Sequence, residues 1–274
     1  MPVGALIGDF VGSRFERHNI TTPAFQWVTP QSRLTDDSVL TLATCEALLT
    51  SLDYRAAYRS MVRRFPGVGY SPGFQAWALA SDDLGTRASS GCGASIRVSP
   101  IGWALGSLDA VLEEAERSAR ATHDHDEAVM GAQAIAGGVF LLRQGASVGE
   151  VVDHAAALGL DTRRTIADWR ALPGWSAETR RTVPVALAAL REGDDFESVV
   201  RLAISAGGDS DSIAAMAGCM AQAHWSIPPA LAMPALAALD RAPSLRAILD
   251  TFWRTFGLRD AGEFPGPAPQ PEAP

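Results

Sequence analysis

Apolar residues recur every three to four positions along most of the chain, which places them on one face of an α-helix. Nine segments carry this pattern: Asp36–Ser51, Ala56–Arg64, Leu108–Ala119, Glu127–Arg143, Val148–Leu158, Thr182–Leu190, Phe196–Ala206, Asp211–His224 and Leu245–Phe256. Alternating runs of β-branched residues, the mark of strands, are almost absent. The pattern therefore predicts an all-α domain.

The segments between these predicted helices are rich in glycine and polar residues. Residues Val3–Glu16 form an apolar, helix-like run interrupted by glycines, and Asp82–Pro100 is a long Gly/Ser-rich segment. Residues Glu263–Pro274 hold five prolines and few apolar side chains, so we expect this tail to be disordered. Since we find no internal repeat and no linker, we predict one domain over residues 1–262.

Composition places the chain among globular proteins and excludes two kinds of site. The 274 residues are 47% hydrophobic and 20% charged. A formal charge of −8 argues against non-specific nucleic-acid binding, although a metal or a helix N-terminus can still bind phosphate locally. The chain contains no lysine, which excludes a Schiff-base lysine and a P-loop lysine.

The cysteines and the apolar runs indicate a cytoplasmic protein. Cys45, Cys92 and Cys219 are odd in number and lack paired spacing, which fits a reducing compartment. Asp9 interrupts the first apolar run, so we predict no secretory signal. The apolar stretch Ile227–Leu239 is too short to span a bilayer and contains three prolines. We therefore expect no membrane association.

Two short acidic clusters, each directly before a predicted helix, carry the strongest chemical signal. They are Thr35-Asp36-Asp37-Ser38 and Gly208-Asp209-Ser210-Asp211-Ser212. Either each is a helix cap, since Asp, Ser and Thr are preferred there, or their oxygens form a site for Mg²⁺ or Mn²⁺. Asp209 and Asp211 share one site only if Asp209 lies in the loop before the helix, which Gly207 and Gly208 would permit.

Glu16 is a further carboxylate of interest. It ends the glycine-containing segment and follows the aromatic Phe15. It is either a general acid or base at a site, or an exposed side chain paired with Arg14 or Arg17.

The run His123-Asp124-His125-Asp126 is open to two interpretations. It resembles a metal or phosphohydrolase motif, or it is a polar loop in which Asp126 caps the next helix. We favour a loop from which one histidine reaches a ligand. Cys92 lies between two glycines, so its thiol is expected close to a ligand, but a nucleophilic role would need an activating base.

Taken together and in order, these motifs resemble the ADP-ribosylglycohydrolase family from Val3 to about Pro229. The similar segments are Gly4–Ser13, Thr35–Ser38, Ser90–Pro100, Thr122–His125 with Gly131–Ala134, and Gly208–Ala214. Cys92 stands where the family usually has Asn, and Ile96 where Met is common. Asp83 resembles an acid used by the arginine-directed members.

The resemblance implies an orthogonal multi-helix bundle with two Mg²⁺ (or Mn²⁺) ions. The residues implied as metal ligands are Thr35, Asp36, Asp37, Asp209, Asp211 and Ser212, with Asp211 the best candidate for a bridge. Proton transfer is implied for Glu16 or Asp36. Contacts to ADP-ribose are implied for Ser90, Gly91, Cys92, Gly93 and His123.

The activity implied by the resemblance is hydrolysis of the bond at C1″ of ADP-ribose through an oxocarbenium-like transition state. We expect the pyrophosphate on backbone N–H groups of the glycine-rich loop and a helix N-terminus, and the protein to be a monomer. The acceptor stays open among arginine, serine, a nucleic-acid end and free derivatives of ADP-ribose. Two alternatives remain: a metal-dependent phosphohydrolase with His123 and Asp124 as ligands, and an ADP-ribose sensor without turnover.

Overall fold

The protein is helical throughout the part of the chain that its computed structural model describes, residues 2–81, 85–172 and 174–257. These residues form fifteen helices: α1 Val3–Gly12, α2 Asp36–Leu49, α3 Tyr54–Arg64, α4 Pro72–Leu79, α5 Gly93–Ile96, α6 Ser99–Ala104, α7 Leu108–Arg120, α8 Asp126–Arg143, α9 Val148–Ala157, α10 Ile166–Arg170, α11 Thr179–Glu192, α12 Phe196–Ser205, α13 Ser210–His224, α14 Pro229–Leu239 and α15 Pro243–Phe256. The described ranges contain two isolated β-bridges, Arg87 with His123 and Gly91 with Glu178. The prediction of an all-α fold is confirmed.

All nine predicted helices are present, and their ends agree with the prediction within three residues. Six others, α1, α4, α5, α6, α10 and α14, were not among the nine predicted helices, although the run that holds α1 was expected to be helix-like. They are short or contain helix-breaking residues: α1 has three glycines, and α14 has Pro234 in its interior. Asp83 and the tail Glu263–Pro274 lie outside the described residues.

Local sequence explains where many helices begin. A Ser, Thr or Asp side chain accepts a hydrogen bond from a backbone N–H of the first turn in α2, α3, α4, α7, α9, α10 and α12; the capping residues are Thr35, Asp53, Ser71, Ser107, Ser147, Thr165 and Asp195. Each such cap stabilises its helix by about 1 kcal/mol. The caps fix the loop ends and hence the positions of the side chains on those loops.

The packing of α1 against α13 forms the centre of the core and positions the site. A Cβ atom at Gly8 would lie 2.0 Å from the carbonyl oxygen of Ala214, and one at Gly12 would lie 2.6 Å from Cα of Asp211. Only glycine allows two backbones to approach this closely. The C-terminal end of α1, which carries Asp9, is therefore held against the N-terminal end of α13.

The remaining helices enclose this pair. Helix α13 also packs against α8, α11 and α12, while α2 packs against α1, α3, α6 and α15. The first turns of α2 and α13 consequently face the same side of the molecule. Among the described helices, none combines the length and the apolar character that a bilayer span requires.

Candidate functional site

The two acidic clusters, far apart in sequence, meet at one place. Carboxylate oxygens of Asp9, Asp37 and Asp211 lie within 4.8 Å of one another. The Ser212 hydroxyl donates a hydrogen bond to Oδ2 of Asp37 at 3.0 Å and so joins the first turn of α13 to that of α2. The fold thus brings together both clusters and one aspartate from α1.

Asp9 is a site residue that the sequence interpretation missed. It is fully buried, and its carboxylate accepts hydrogen bonds from the Thr35 N–H at 2.8 Å, the Thr35 hydroxyl at 2.7 Å and the Ser38 N–H at 3.2 Å, and from the Ser38 hydroxyl. Asp9 therefore ties α1 to the start of α2. A charged residue inside an otherwise apolar helical run was the available signal, because such a residue is buried only where polar partners exist.

The two clusters differ in how far they act as helix caps. Thr35 caps α2, since its Oγ1 accepts from the Asp37 N–H at 3.3 Å. Asp209 is in the capping position of α13 but makes no side-chain capping hydrogen bond. Gly207 and Gly208, with φ of +76° and +75°, turn the chain so that Asp209 lies in the loop before the helix. Capping thus accounts for part of the first cluster and leaves the second unexplained.

Burial gives these carboxylates unusual proton affinities. Desolvation, reinforced by neighbouring carboxylates, raises the pKa of Asp36 to about 7. Desolvation likewise raises the pKa of Asp209 to about 6 and the pKa values of Asp37 and Asp211 well above their usual range. Within the described residues, none of these four aspartates forms an ion pair with an arginine or a histidine.

The donor set fits a hard divalent cation. Four aspartates of the two clusters and the hydroxyls of Thr35 and Ser212 supply only oxygen ligands, which suit Mg²⁺ or Mn²⁺. A bound cation would offset both the desolvation and the mutual repulsion that raise the pKa values of these aspartates.

A cleft of about 550 Å³ opens above the acidic clusters. Its walls include both clusters and most of the other candidates, namely Glu16, Gly91, Cys92, Gly93 and His123. Ser90 is not part of the cleft wall, and its carbonyl oxygen accepts from the Thr179 N–H at 2.9 Å. The cleft volume is typical of a small-molecule site.

Glu16 takes part in an ion pair and also stands on the wall of the cleft. It is ion-paired with Arg17, at 2.9 Å between Oε1 and Nη2, and it also lines the cleft. Its side chain is 24% exposed, against 69% for that of Arg17. The Arg17 guanidinium in turn lies 4.9 Å from the ring centroid of Trp175, another residue of the cleft wall.

Asn19 fixes the Glu16 segment to the second acidic cluster. Its side-chain amide donates to the Gly208 carbonyl and accepts from the Gly208 N–H, both at 2.9 Å. The same amide donates to the carbonyl oxygens of Phe15 and Glu16, at 2.7 and 3.3 Å. This residue was also missed, because a lone Asn in a polar loop carries no distinctive sequence signal.

The glycine-rich loop is held rigidly, and two of its N–H groups are already used. The Gly91 N–H donates to the Ser89 hydroxyl at 3.3 Å, and the Cys92 N–H donates to the Ala177 carbonyl at 2.8 Å. These two N–H groups therefore already have acceptors within the protein, and binding of a pyrophosphate by the loop stays a prediction.

Cys92 is buried against the second cluster. Its Sγ lies 3.6 Å from Oδ2 of Asp209, and the residue is 2% exposed. Desolvation and the nearby Asp209 and Asp37 raise the pKa of the thiol well above its usual range. A neutral, enclosed thiol is a poor nucleophile, so the geometry does not favour covalent catalysis by Cys92.

His123 faces the cleft as a neutral imidazole. Arg97, fully buried, donates to the Thr122 hydroxyl at 2.5 Å, and that hydroxyl lies 2.7 Å from Nδ1 of His123. The hydroxyl proton has two acceptors in reach, Nδ1 of His123 at 2.7 Å and the Ala119 carbonyl at 3.5 Å; the shorter contact assigns it to Nδ1 and the ring proton to Nε2. Burial, then the charges of Arg97 and Arg87, lower the pKa of His123 to about 3.

The neighbouring residues of His123 serve the helix and the surface. The expectation that Asp126 caps α8 is wrong: His125 is the cap, its Nδ1 accepting from the Glu127 N–H at 3.2 Å, and Asp126 is the first helical residue. Asp124 is exposed and paired with Arg120 at 3.3 Å. Asp124 therefore does not form a ligand pair with His123, which removes the geometric basis of the phosphohydrolase alternative.

Comparison with known proteins agrees with the residue-level resemblance. The family model described as ADP-ribosylglycohydrolase matches residues 1–261. An uncharacterized protein of Archaeoglobus fulgidus is 34% identical over 146 residues, which cover 47% of this chain and 48% of that protein, so the match spans about half of that relative. A solved structure titled "ADP-ribosylglycohydrolase-related protein complex" superposes with a TM-score of 0.67 at 24% identity, covering 94% of this chain and 98% of that one. The fold is therefore that of this structure, and the chain belongs to the ADP-ribosylglycohydrolase family.

Proposed function

We propose that this protein hydrolyses the glycosidic bond at C1″ of ADP-ribose conjugates and releases ADP-ribose. The observation that carries the proposal is that Asp37 and Asp211, with the buried Asp9 directly behind them, line a cleft whose wall also includes Glu16 and His123. Family membership supplies the reaction class, and the cleft supplies oxygen ligands and proton carriers in one place. The acceptor from which ADP-ribose is released is not part of this proposal.

Two Mg²⁺ or Mn²⁺ ions would be held by Thr35, Asp36, Asp37, Asp209, Asp211 and Ser212. When bound, they supply a positive charge that orients the distal ribose hydroxyls and lowers the pKa of a water molecule. Asp9 is a positioning residue for these ligands, because its four hydrogen bonds fix Thr35 and Ser38 at the start of α2.

Glu16 is the better proton carrier of the two candidates. Asp36 begins α2 and belongs to the ligand set, and a carboxylate engaged with a dication stays ionised. Glu16 stands on the cleft wall outside the cluster, so it can exchange a proton with the acceptor atom as the C1″ bond breaks and water adds to C1″. Its ion pair with Arg17 and the Asn19 amide hold it in position.

His123 contributes to the binding of ADP-ribose. As a neutral ring with its proton on Nε2, it presents one hydrogen-bond donor to the cleft between Gly91 and Gly93; a Cβ at either glycine would lie 3.8 or 3.6 Å from that nitrogen. Such a donor suits a hydroxyl or phosphate oxygen of ADP-ribose.

The test is release of free ADP-ribose from arginine-linked and serine-linked conjugates, with Mg²⁺ and with EDTA. We expect EDTA-sensitive release, and a loss of at least about a hundredfold in Asp211→Asn and Asp37→Ala. Asp124→Asn is the matched control, because Asp124 is exposed and paired with Arg120 outside the cleft.

The outcomes separate the alternatives. Full turnover of Asp211→Asn with normal metal content would contradict the proposal. Tight ADP-ribose binding without release from either conjugate would support a sensor. Phosphate release that is lost in Asp124→Asn would support a phosphohydrolase.

A further inference from the structure

A second cavity adjoins the cleft at Glu16, and no residue of the acidic clusters lines it. It measures about 610 Å³ and is formed by the segment that connects α1 to α2. It shares Glu16, Arg17 and Arg33 with the cleft, so these three side chains stand where the two cavities meet. We call it the connector cavity.

The connector cavity is basic in an acidic protein. Three arginines, Arg14, Arg17 and Arg33, and also His18 line it, against the single carboxylate of Glu16. The protein as a whole carries a formal charge of −8. The cavity therefore carries an excess of guanidinium groups, whereas the protein as a whole carries an excess of carboxylates.

Two of these arginines have unused hydrogen-bond donors. Arg14 donates through Nη2 to the Gln26 carbonyl, but its Nε and Nη1 atoms are buried without a hydrogen-bond partner. The Arg14 guanidinium is held between aromatic rings, 4.4 Å from the centroid of Phe15 and 5.8 Å from that of Phe25. Arg33 is exposed, and within the described chain its guanidinium makes no hydrogen bond or ion pair.

The Arg14 donors are enclosed, so an anion in the cavity would meet them through the charge of the guanidinium, while the exposed Arg33 guanidinium can donate to it directly. Arg17 is already neutralised by Glu16 at 2.9 Å. The unpaired charges of Arg14 and Arg33 thus define the ligand chemistry of the connector cavity, which is anionic.

The position of the cavity relates it to the acceptor and rests on the proposed function. With the distal ribose on the acidic clusters and Glu16 exchanging a proton with the leaving atom, the leaving group lies beyond Glu16. That direction leads into the connector cavity, since Glu16 lines both spaces.

We infer that the connector cavity is the acceptor subsite and that it takes an acidic peptide carrying ADP-ribose on a hydroxyl side chain. A carboxylate beside the modified residue matches the planar donors of a guanidinium. An arginine acceptor keeps a positive charge after release and would meet the cations of Arg14 and Arg33 at close range.

A nucleic-acid acceptor is less well matched than a peptide. An extended phosphodiester backbone needs a continuous basic surface, whereas here the basic side chains are confined to one cavity of a protein with a charge of −8. A peptide presents one or two negative charges next to the modified residue and places the rest of its chain in solvent.

The experiment compares ADP-ribosyl-serine peptides of equal length with acidic, neutral or basic flanking residues. We expect kcat/KM to be higher for the acidic than for the neutral peptide by about tenfold, the size of one or two partly exposed ion pairs. The ratio should fall as salt is raised, because these charges are solvent-accessible.

Two variants locate the effect. Arg33→Gln should bring the acidic-to-neutral ratio close to one, with an unchanged melting temperature, since that side chain is exposed. Arg63→Gln removes the same charge from the exposed face of α3, outside both cavities, and should leave the ratio as in the wild type. Loss of the ratio in both variants would contradict a local subsite.

Other outcomes also decide the matter. Equal rates for the three peptides, or a preference for the basic peptide or an arginine-linked conjugate, would overturn the inference while the proposed function stands. Faster release from an ADP-ribosylated oligonucleotide than from the acidic peptide would overturn it in favour of a nucleic-acid acceptor. No release from any peptide or from a small ADP-ribose conjugate would refute the proposed function itself.

Discussion

Replacing Gly8 by Ala tests whether the close approach of α1 and α13 builds the metal centre. A Cβ at this position would lie 2.0 Å from the Ala214 oxygen, 2.3 Å from its carbonyl carbon and 2.6 Å from the Ala215 nitrogen. All three are backbone atoms, so no side chain can rotate away. To restore an ordinary contact of 3.4 Å, the two helices must separate locally by about 1.4 Å.

The energetic effects of the substitution have opposite signs. Ala is favoured over Gly inside a helix by about 1 kcal/mol. Overpacking a core costs about 1–3 kcal/mol, and here the upper end applies because backbone must move. We therefore expect a net loss of about 1–2 kcal/mol, which lowers the melting temperature by roughly 2–8 °C in a protein of this size.

The consequence for the site is larger than the loss of stability. Asp9 follows Gly8 directly, and Asp211 lies one turn before Ala214, so the separation moves the proposed ligand Asp211 away from Asp9, whose hydrogen bonds position Thr35 and Ser38. A metal site tolerates ligand displacements of only about 0.2 Å. We expect the melting-temperature increase on adding Mg²⁺ to be mostly lost in Gly8→Ala.

The assay is thermal unfolding of wild type, Gly8→Ala and a control, each with EDTA and with a Mg²⁺ titration. Gly106→Ala is the matched control, since a Cβ at Gly106 meets nothing within 4 Å, and we expect its stability to stay within about 0.5 kcal/mol of wild type. A Gly8→Ala protein that melts at or above the wild-type temperature, with the same response to Mg²⁺, would refute the reasoning.

Three further predictions concern single groups of the site. Burial raises the pKa values of Asp36 and Asp209 from 3.8 to about 7 and about 6. The metal-free protein should therefore lose stability as the pH rises from about 4 to 7, and stabilisation by Mg²⁺ should grow over the same range. A melting temperature in EDTA that does not change with pH would contradict this. Cys92→Ala should keep turnover within about tenfold of wild type, because its thiol is neutral and enclosed, whereas abolished turnover with intact ADP-ribose binding would restore the nucleophile hypothesis. Thr122→Val removes the donor to Nδ1 of His123, so the ¹⁵N shifts of the ring should change from those of a single Nε2–H tautomer to those of a mixture. Thr122→Ser should restore the wild-type shifts. An unchanged spectrum in Thr122→Val would show that Arg97 does not act on His123 through this hydroxyl.

The sequence was sufficient where local periodicity determines structure. Nine of the fifteen helices in the described residues were predicted with small errors at their ends, because each has an apolar face, and in several a capping residue marks the start. Helices α1 and α14 escaped prediction for the opposite reason, since glycine and proline are unfavourable in an isolated helix. In α1 the glycines are required by a contact with α13 that only the folded chain reveals.

From the sequence, only the site residues that belong to short local motifs could be predicted. The two acidic clusters were recognised from their composition, and both line the cleft. Asp9 and Asn19 were missed because their partners, at Thr35 and Gly208, are 26 and 189 residues away in the chain. The hydrogen bonds from the Gly91 and Cys92 N–H groups to Ser89 and Ala177 could not be predicted either, because they depend on how the loop folds.

The absence of lysine makes the charge distribution of this protein easy to interpret. Every cation other than histidine is a guanidinium, which stays charged at any pH at which the protein is folded. His123 stays neutral above pH 5, since its pKa is about 3. The groups of the cleft that change charge near neutrality are therefore the clustered aspartates, and protons compete with a divalent cation for them. The acidic arm of any pH–rate profile should consequently report metal loading. The proposed preference for an anionic acceptor depends on the guanidinium groups of Arg14 and Arg33, so it should not change over the same pH range.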